Sequence, residues 1–334
     1  MTPDGRYAIS ASEDYTLKVW DIETGEAVHT LYGHTGAVLK VVALADSQHV
    51  ISSSEDMTLK LWEITTGQEV HTLSGHSDRV ESVIVTPDGR LAISSAGMVH
   101  VSLDTTLRIW DLASGAERMA LYGSAERVLQ TVVLPEGDLA VSAIIPQSGE
   151  MDSFDTTLQV WDVETGAVVR TLSGHKRPVY VLLPLPDGRL LSAGQDNLLK
   201  LWDVRDGREL AVLRGHTEQV AGMAVTPDGT RIVSVGADLV VRVWTLATGL
   251  EAFHLKGHTE AIIDIGLTPD GRYAITISFD HSLKIWDLQT RQMVANFIAD
   301  GALHSLAITP DGRTLVAGGQ SGQVHILRLE GVPG

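Results

Sequence analysis

The chain has 334 residues, 44% of them hydrophobic, and 25 Lys and Arg stand against 42 Asp and Glu for a formal charge of −17. That acidic balance argues against non-specific binding to nucleic acid or to an anionic membrane, both of which need basic surface. With no cysteine, a disulfide framework, a thiolate nucleophile and a Cys-ligated metal are excluded. The opening segment, MTPDGRYAIS, has neither the positive nor the apolar stretch of a signal peptide, and no run of about 18 apolar residues occurs. The expectation is a cytoplasmic chain.

Self-similarity dominates the sequence. Tryptophans stand at 20, 62, 110, 161, 202, 244 and 286, and Leu327 fills the same slot once more. In chain order the approximate repeats run 1–21, 22–63, 64–111, 112–162, 163–203, 204–245, 246–287 and 288–334, within one domain spanning 1–334. Length that grows by repetition needs no second core, because each unit packs on its neighbours. Residues alternate at period two between turn signals, which reads as strand. From the sixth repeat into the seventh, strands are predicted over 219–225, 232–235, 240–245 and 251–256, with Pro227-Asp228-Gly229 and Thr248-Gly249 as turns. Pro-Asp-Gly recurs at 3–5, 87–89, 186–188, 269–271 and 310–312.

In the third strand, Leu17 and Val19 point one way and Trp20 the other. A sheet apolar on both faces must be covered on both faces, and repeated small sheets do this by packing face to face around an axis. Gly-His stands at 33–34, 75–76, 174–175, 215–216 and 257–258, and Asp follows Trp at 21, 111, 162, 203 and 287. With an Asp six residues before each Trp, including Asp14 and Asp155, the pattern resembles the WD40-repeat family over essentially the whole chain. The resemblance implies an all-β propeller of four-stranded antiparallel blades. Eight third strands favour eight blades, with a seven-bladed ring as the alternative.

The resemblance also gives the histidines a structural role. One buried hydrogen-bond chain per blade is implied for His34, Ser52, Asp56 and Trp62, for His76, Ser94, Asp104 and Trp110, and for His175, Ser192, Asp196 and Trp202. The remaining sets are His216, Ser234, Asp238 and Trp244, and His258, Thr276, Asp280 and Trp286. Buried imidazoles and carboxylates are costly unless paired, so these residues read as structure and not as metal ligands or acid–base groups. No Gly-x-Ser-x-Gly, His-Glu-x-x-His, P-loop or dinucleotide fingerprint occurs. Glu150, Asp152 and Asp155 read as a solvated acidic loop, with calcium as the minor alternative. The expectation is no enzyme, no cofactor, no metal and no small-molecule substrate. Catalysis in a central opening is the remaining alternative; His304 and Glu81 are its candidates, and nothing in the sequence pairs them.

The first repeat lacks its Gly-His segment and inner strand, and the last lacks an outer strand. Internal copies read Val-Thr-Pro-Asp-Gly where the chain begins Met1-Thr-Pro-Asp-Gly, so a longer parent protein is expected, with incomplete closure at the termini.

Two consecutive repeats carry insertions between their second and third strands. Ser10 to Asp14 is four steps, whereas Ser94 to Asp104 is ten and Ser142 to Asp155 is thirteen. By the family resemblance these loops share a face with the Gly-His loops, a face that commonly docks partners. Arg79, Arg127 and Arg177 with Leu103, Leu129, Phe154 and Tyr180 form a candidate partner-binding patch around blades 3–5. Arginine among large apolar groups suits a protein or peptide, above all an acidic or phosphorylated one. The implied function is a non-catalytic interaction scaffold or sensor, its regular repeats resembling those appended to bacterial signalling ATPases and kinases. A stand-alone scaffold subunit of a multiprotein complex is the alternative.

Overall fold

The computed structural model describes residues 1–97, 104–121, 126–146, 156–320 and 322–330. Every regular element among them is a β-strand. The strands form eight antiparallel sheets whose hydrogen-bonded neighbours follow chain order, six four-stranded and two three-stranded. This is the eight-bladed propeller class.

The chain divides into two compact units, Met1–Pro178 with Pro186–Gly188, and Val179–Leu185 with Arg189–Gly334. The first unit opens with a three-stranded sheet, Tyr7–Ala11, Leu17–Asp21 and Ala27–Leu31, followed by four-stranded sheets over 38–74, 80–121 and 126–175. The second unit has four-stranded sheets over 179–214, 220–256 and 262–298, then a three-stranded one over 303–328. In the sixth sheet the strands are Val220–Val225, Arg231–Gly236, Val240–Thr245 and Leu250–Lys256, each boundary within one residue of the sequence reading.

Local chemistry explains the turns. In Thr226-Pro227-Asp228-Gly229 the Thr226 hydroxyl donates to Asp228 at 2.6 Å and the Gly229 N–H to the Thr226 carbonyl at 2.8 Å. Gly229 sits at φ +67°, where a side chain is strained. Hydrogen bonds from Thr226 and Thr230 lower the Asp228 carboxyl to about 2. The same Thr-to-Asp bond recurs at Thr2, Thr86, Thr268 and Thr309.

Each core layer joins two consecutive sheets, and the tryptophan of the later sheet packs back on the earlier one. In the first unit Trp62 lies with Leu17, Val19 and Leu31. Trp110 lies with Ile51, Leu59 and Leu73, and Trp161 with Ile93, Leu107 and Ile109. In the second, Trp244 lies with Leu199 and Leu213, and Trp286 with Val241 and Val243. Burying an indole of 150–250 Å² is worth roughly 4–6 kcal/mol as an upper bound. The eighth sheet has only Leu327 at this position, and a groove of about 430 Å³ opens over Leu283, Ile285, Phe297, Leu315 and Leu327.

Two local irregularities recur. A bulge interrupts the inner strands near their start, for example between Val38 and Lys40 and between Val80 and Ser82, and in the fourth sheet between Val128 and Gln130. The turn after the second strand places a non-glycine residue in the left-handed region: Tyr15 (φ 74°), Met57 (69°), Asn197 (63°), Leu239 (65°) and His281 (63°). Each such residue costs on the order of 1 kcal/mol, with asparagine the most tolerant of those present.

Candidate interaction surface

The Gly-His histidines are brought to the second-strand hydroxyls within each blade. In the second sheet His34 Nε2 lies 2.8 Å from Ser52 Oγ and Nδ1 2.8 Å from Asp56, while Trp62 Nε1 donates to Ser52 Oγ at 2.8 Å. The third sheet repeats this with His76 at 2.8 Å from Ser94 and 2.9 Å from Asp104, and Trp110 at 2.8 Å from Ser94. In the second unit His216 lies 2.7 Å from Ser234 and 2.9 Å from Asp238, with Trp244 at 2.8 Å from Ser234. His258 lies 2.7 Å from Thr276 and 2.8 Å from Asp280, with Trp286 at 2.8 Å from Thr276.

These distances fix the proton order. An indole N–H can only donate, so the hydroxyl accepts from Trp; at His34 and His258, where burial favours the neutral imidazole, Nδ1–H donates to the Asp carboxylate and Nε2 accepts from the hydroxyl. Burial holds the His34 and His258 imidazoles below their ordinary range, against the pull of Asp56 and Asp280. Burial raises the Asp104 carboxyl, but hydrogen bonds from His76, Thr106 and Ser77 outweigh it and leave it well below the carboxylate range. Asp280 is held low in the same way by Ser282, Thr259 and His258. A buried, hydrogen-bonded imidazole facing a fixed carboxylate inside a core is a strut.

The fifth blade shares the Trp-to-Ser bond, and the first and fourth depart from the arrangement. In the fifth, Trp202 donates to Ser192 at 2.7 Å and Asp196 accepts from the Leu198 N–H at 3.2 Å, while His175 is buried at the end of the strand Val168–His175. In the first, which has no Gly-His segment, Trp20 still donates to Ser10 at 2.9 Å. In the fourth, where Ser124 stands at the histidine position, Ser142 pairs with Thr131 at 2.9 Å and the Trp161 indole N–H finds no partner among the described residues. Ser124 and Asp155 lie outside the described residues.

A further pattern escaped the sequence reading. A cation two residues before the tryptophan reaches a polar group on the outer strand: Lys60 to Glu69 at 2.7 Å, Lys200 to Glu209 at 2.5 Å and Arg242 to Glu251 at 2.6 Å. Arg108 pairs likewise with Glu117, and Lys284 with the Asn296 carbonyl at 2.9 Å. The spacing of nine from cation to acid was visible, but strands diverging at a bulge conceal which residues face each other.

The predicted partner patch is only partly described. Leu103, Phe154, Glu150, Asp152 and Asp155 lie outside the described residues, as does the Arg127 side chain. Leu129 occupies the inner-strand bulge of the fourth sheet and is half-buried. Arg177 is exposed in the first unit, and Tyr180 is a half-buried bulge residue in the second. Arg79 is not a free cation: it lies 3.2 Å from Glu55 and 2.5 Å from Glu81. Glu81 is therefore an ion-pair partner. His304 packs edge-on against Phe279 at 6.2 Å. Among the described residues no cluster of His, Asp and Glu could hold a metal, and no helix is long and apolar enough to cross a membrane.

Repeated Trp–Ser–His–Asp chains inside successive four-stranded sheets agree with the profile of the WD domain, G-beta repeat family, which matches residues 1–21, 25–63, 67–111, 166–203 and 207–245, more than half of the chain. The chain belongs to the WD40-repeat family. Residues 258–329 match the TEP-1 C-terminal beta-propeller profile. A crystal structure of the computationally designed Ika8 protein is similar over 97% of this chain and 93% of its own, with a TM-score of 0.82 and 26% identity. Nuclear distribution protein PAC1 of Arthroderma otae is 50% identical over 56 residues, 16% of this chain and 12% of that protein. The probable E3 ubiquitin ligase complex SCF subunit sconB of the same organism is 46% identical over 39 residues, 12% of this chain and 6% of its own length. F-box-like/WD repeat-containing protein TBL1X of Mus musculus is 49% identical over 37 residues, 11% of this chain and 7% of that protein. The chain thus aligns with about an eighth or less of these relatives, over a stretch of one or two repeats.

Proposed function

We propose that this WD40 chain is a non-catalytic protein-interaction scaffold that docks a protein or peptide on the turn face of its third and fourth sheets. The observation that carries the reading is the contrast within the repeats. The histidines and aspartates that could do chemistry are spent in near-identical struts, while sequence length varies in the turns, most of all in the consecutive insertions before Asp104 and Asp155. Insertions on one face of adjacent repeats serve recognition. The sconB relative, a probable subunit of a ubiquitin ligase complex, supports the same class. Arg127 and Arg177 would meet an acidic or phosphorylated segment, with Leu129 and Phe154 as apolar contacts and Tyr180 a further candidate by its sequence position. Arg79 is weaker as an anchor, because two carboxylates already share its charge. A pulldown comparing the wild type with an Arg127→Ala/Phe154→Ala/Arg177→Ala variant tests the placement. A partner lost only from the variant supports it, and one retained by both refutes it.

A further inference from the structure

The turns of the first two sheets differ in kind from their counterparts. Tyr15 and Met57 occupy the left-handed position at φ 74° and 69° and are 50% and 46% exposed. The same position holds Asn197 in the fifth sheet, and Leu239 in the sixth is half-buried. The left-handed backbone is common to these turns, so what sets the first two apart is a large side chain about half open to water, which gains little from burial there. The two turns are also locked side by side. The Ser12 carbonyl accepts from the Val38 N–H at 3.1 Å, and the Ala37 carbonyl accepts from the Glu55 N–H at 2.9 Å. Residues 37–38 thus tie the Tyr15 turn to the Met57 turn, with the half-buried bulge residue Leu39 following.

Charge sets the kind of partner. Glu13, Asp14 and Glu55 are exposed on these turns; of the neighbouring cations, Arg79 is shared between Glu55 and Glu81 and Lys18 lies near Asp14 and over the Trp20 ring. The ledge is therefore apolar at Tyr15 and Met57 with a negative surround. We propose that it docks a basic, apolar-bearing linear segment of another protein, whose large apolar side chains cover Tyr15 and Met57 and whose Lys or Arg residues face Glu13 and Glu55. This surface differs in place and in sign from the one on the third and fourth sheets, and does not rest on that reading.

Selection of random linear peptides displayed on phage against the immobilised full chain tests it, with affinities then measured on the synthetic winners. Enriched peptides are expected to be net positive with at least one large apolar residue. They should bind a Tyr15→Asn/Met57→Asn variant about tenfold or more weakly, bind Glu13→Lys more weakly with a reduced salt dependence, and bind Arg177→Ala unchanged. Asparagine already serves this turn at Asn197, so the double variant should fold and melt no lower than wild type; that melting measurement separates lost contact from lost structure. Acidic or neutral winners, no enrichment, or equal binding to the double variant would overturn the proposal. Binding lost with Arg177→Ala but kept by Tyr15→Asn/Met57→Asn would overturn it while supporting the other surface.

Discussion

Replacing His216 by alanine isolates one strut of the sixth blade. The imidazole makes two hydrogen bonds, 2.7 Å to Ser234 and 2.9 Å to the Asp238 carboxylate, whose side chain is only 3% exposed. The neutral bond is worth about 1 kcal/mol and the charged one about 1.5–3 kcal/mol. Part of the second is recovered, because Asp238 keeps the Thr217 N–H at 3.3 Å, the Val240 N–H at 3.3 Å and Arg242 at 3.5 Å. Ser234 also keeps its bond from Trp244. The expected loss is about 2–3 kcal/mol, a large share of the roughly 5–15 kcal/mol that holds a folded domain. Urea denaturation followed by tryptophan fluorescence measures it, with Asp238→Asn and the double variant completing a cycle. The coupling between the two residues should exceed about 0.5 kcal/mol. A loss under about 0.5 kcal/mol in His216→Ala, or strict additivity in the cycle, would refute the strut reasoning.

Two further outcomes follow from the same geometry. Trp110→Phe deletes a donor 2.8 Å from Ser94, whereas Trp161→Phe deletes an indole N–H that has no partner among the described residues, so the first should destabilise by about 1 kcal/mol more than the second; equal shifts in denaturation midpoint would contradict this. Stability should also fall on acidification in two stages. His34 and His258 titrate lower in the folded chain than unfolded, so the unfolded state takes up protons first as pH drops through about 6.5, and stability present above that pH is lost below it. Asp56, Asp104, Asp238 and Asp280 are likewise held low, and the stability they supply above about pH 4 disappears below it. Melting temperature measured from pH 7 down to 3 should fall in both windows, and a rise between pH 7 and 5 would count against the assignment.

The sequence alone determined the periodic part of this protein. Tryptophans at a spacing near 42, Pro-Asp-Gly turns and period-two alternation prescribe the strands, their order and the two missing edge strands. Each of these is encoded within one repeat, and neighbouring repeats obey the same rule. The Ser, His and Asp of the struts were legible for the same reason, since the Asp stands six residues before the tryptophan and the His eighteen before the Ser or Thr in each set shown. What only the tertiary structure decided lies between strands and between blades. No spacing rule told that Arg79 would be bracketed by Glu55 and Glu81, because the two carboxylates come from different sheets and a bulge turns one of them. Nor did any reveal that Ser142 would pair with Thr131 and leave the Trp161 indole without a partner among the described residues, because losing a histidine frees its hydroxyl partner to find whatever lies nearest. The strained exposure of Tyr15 and Met57 was equally hidden, since a left-handed backbone at a non-glycine residue is imposed by the turn around it and leaves no mark in composition.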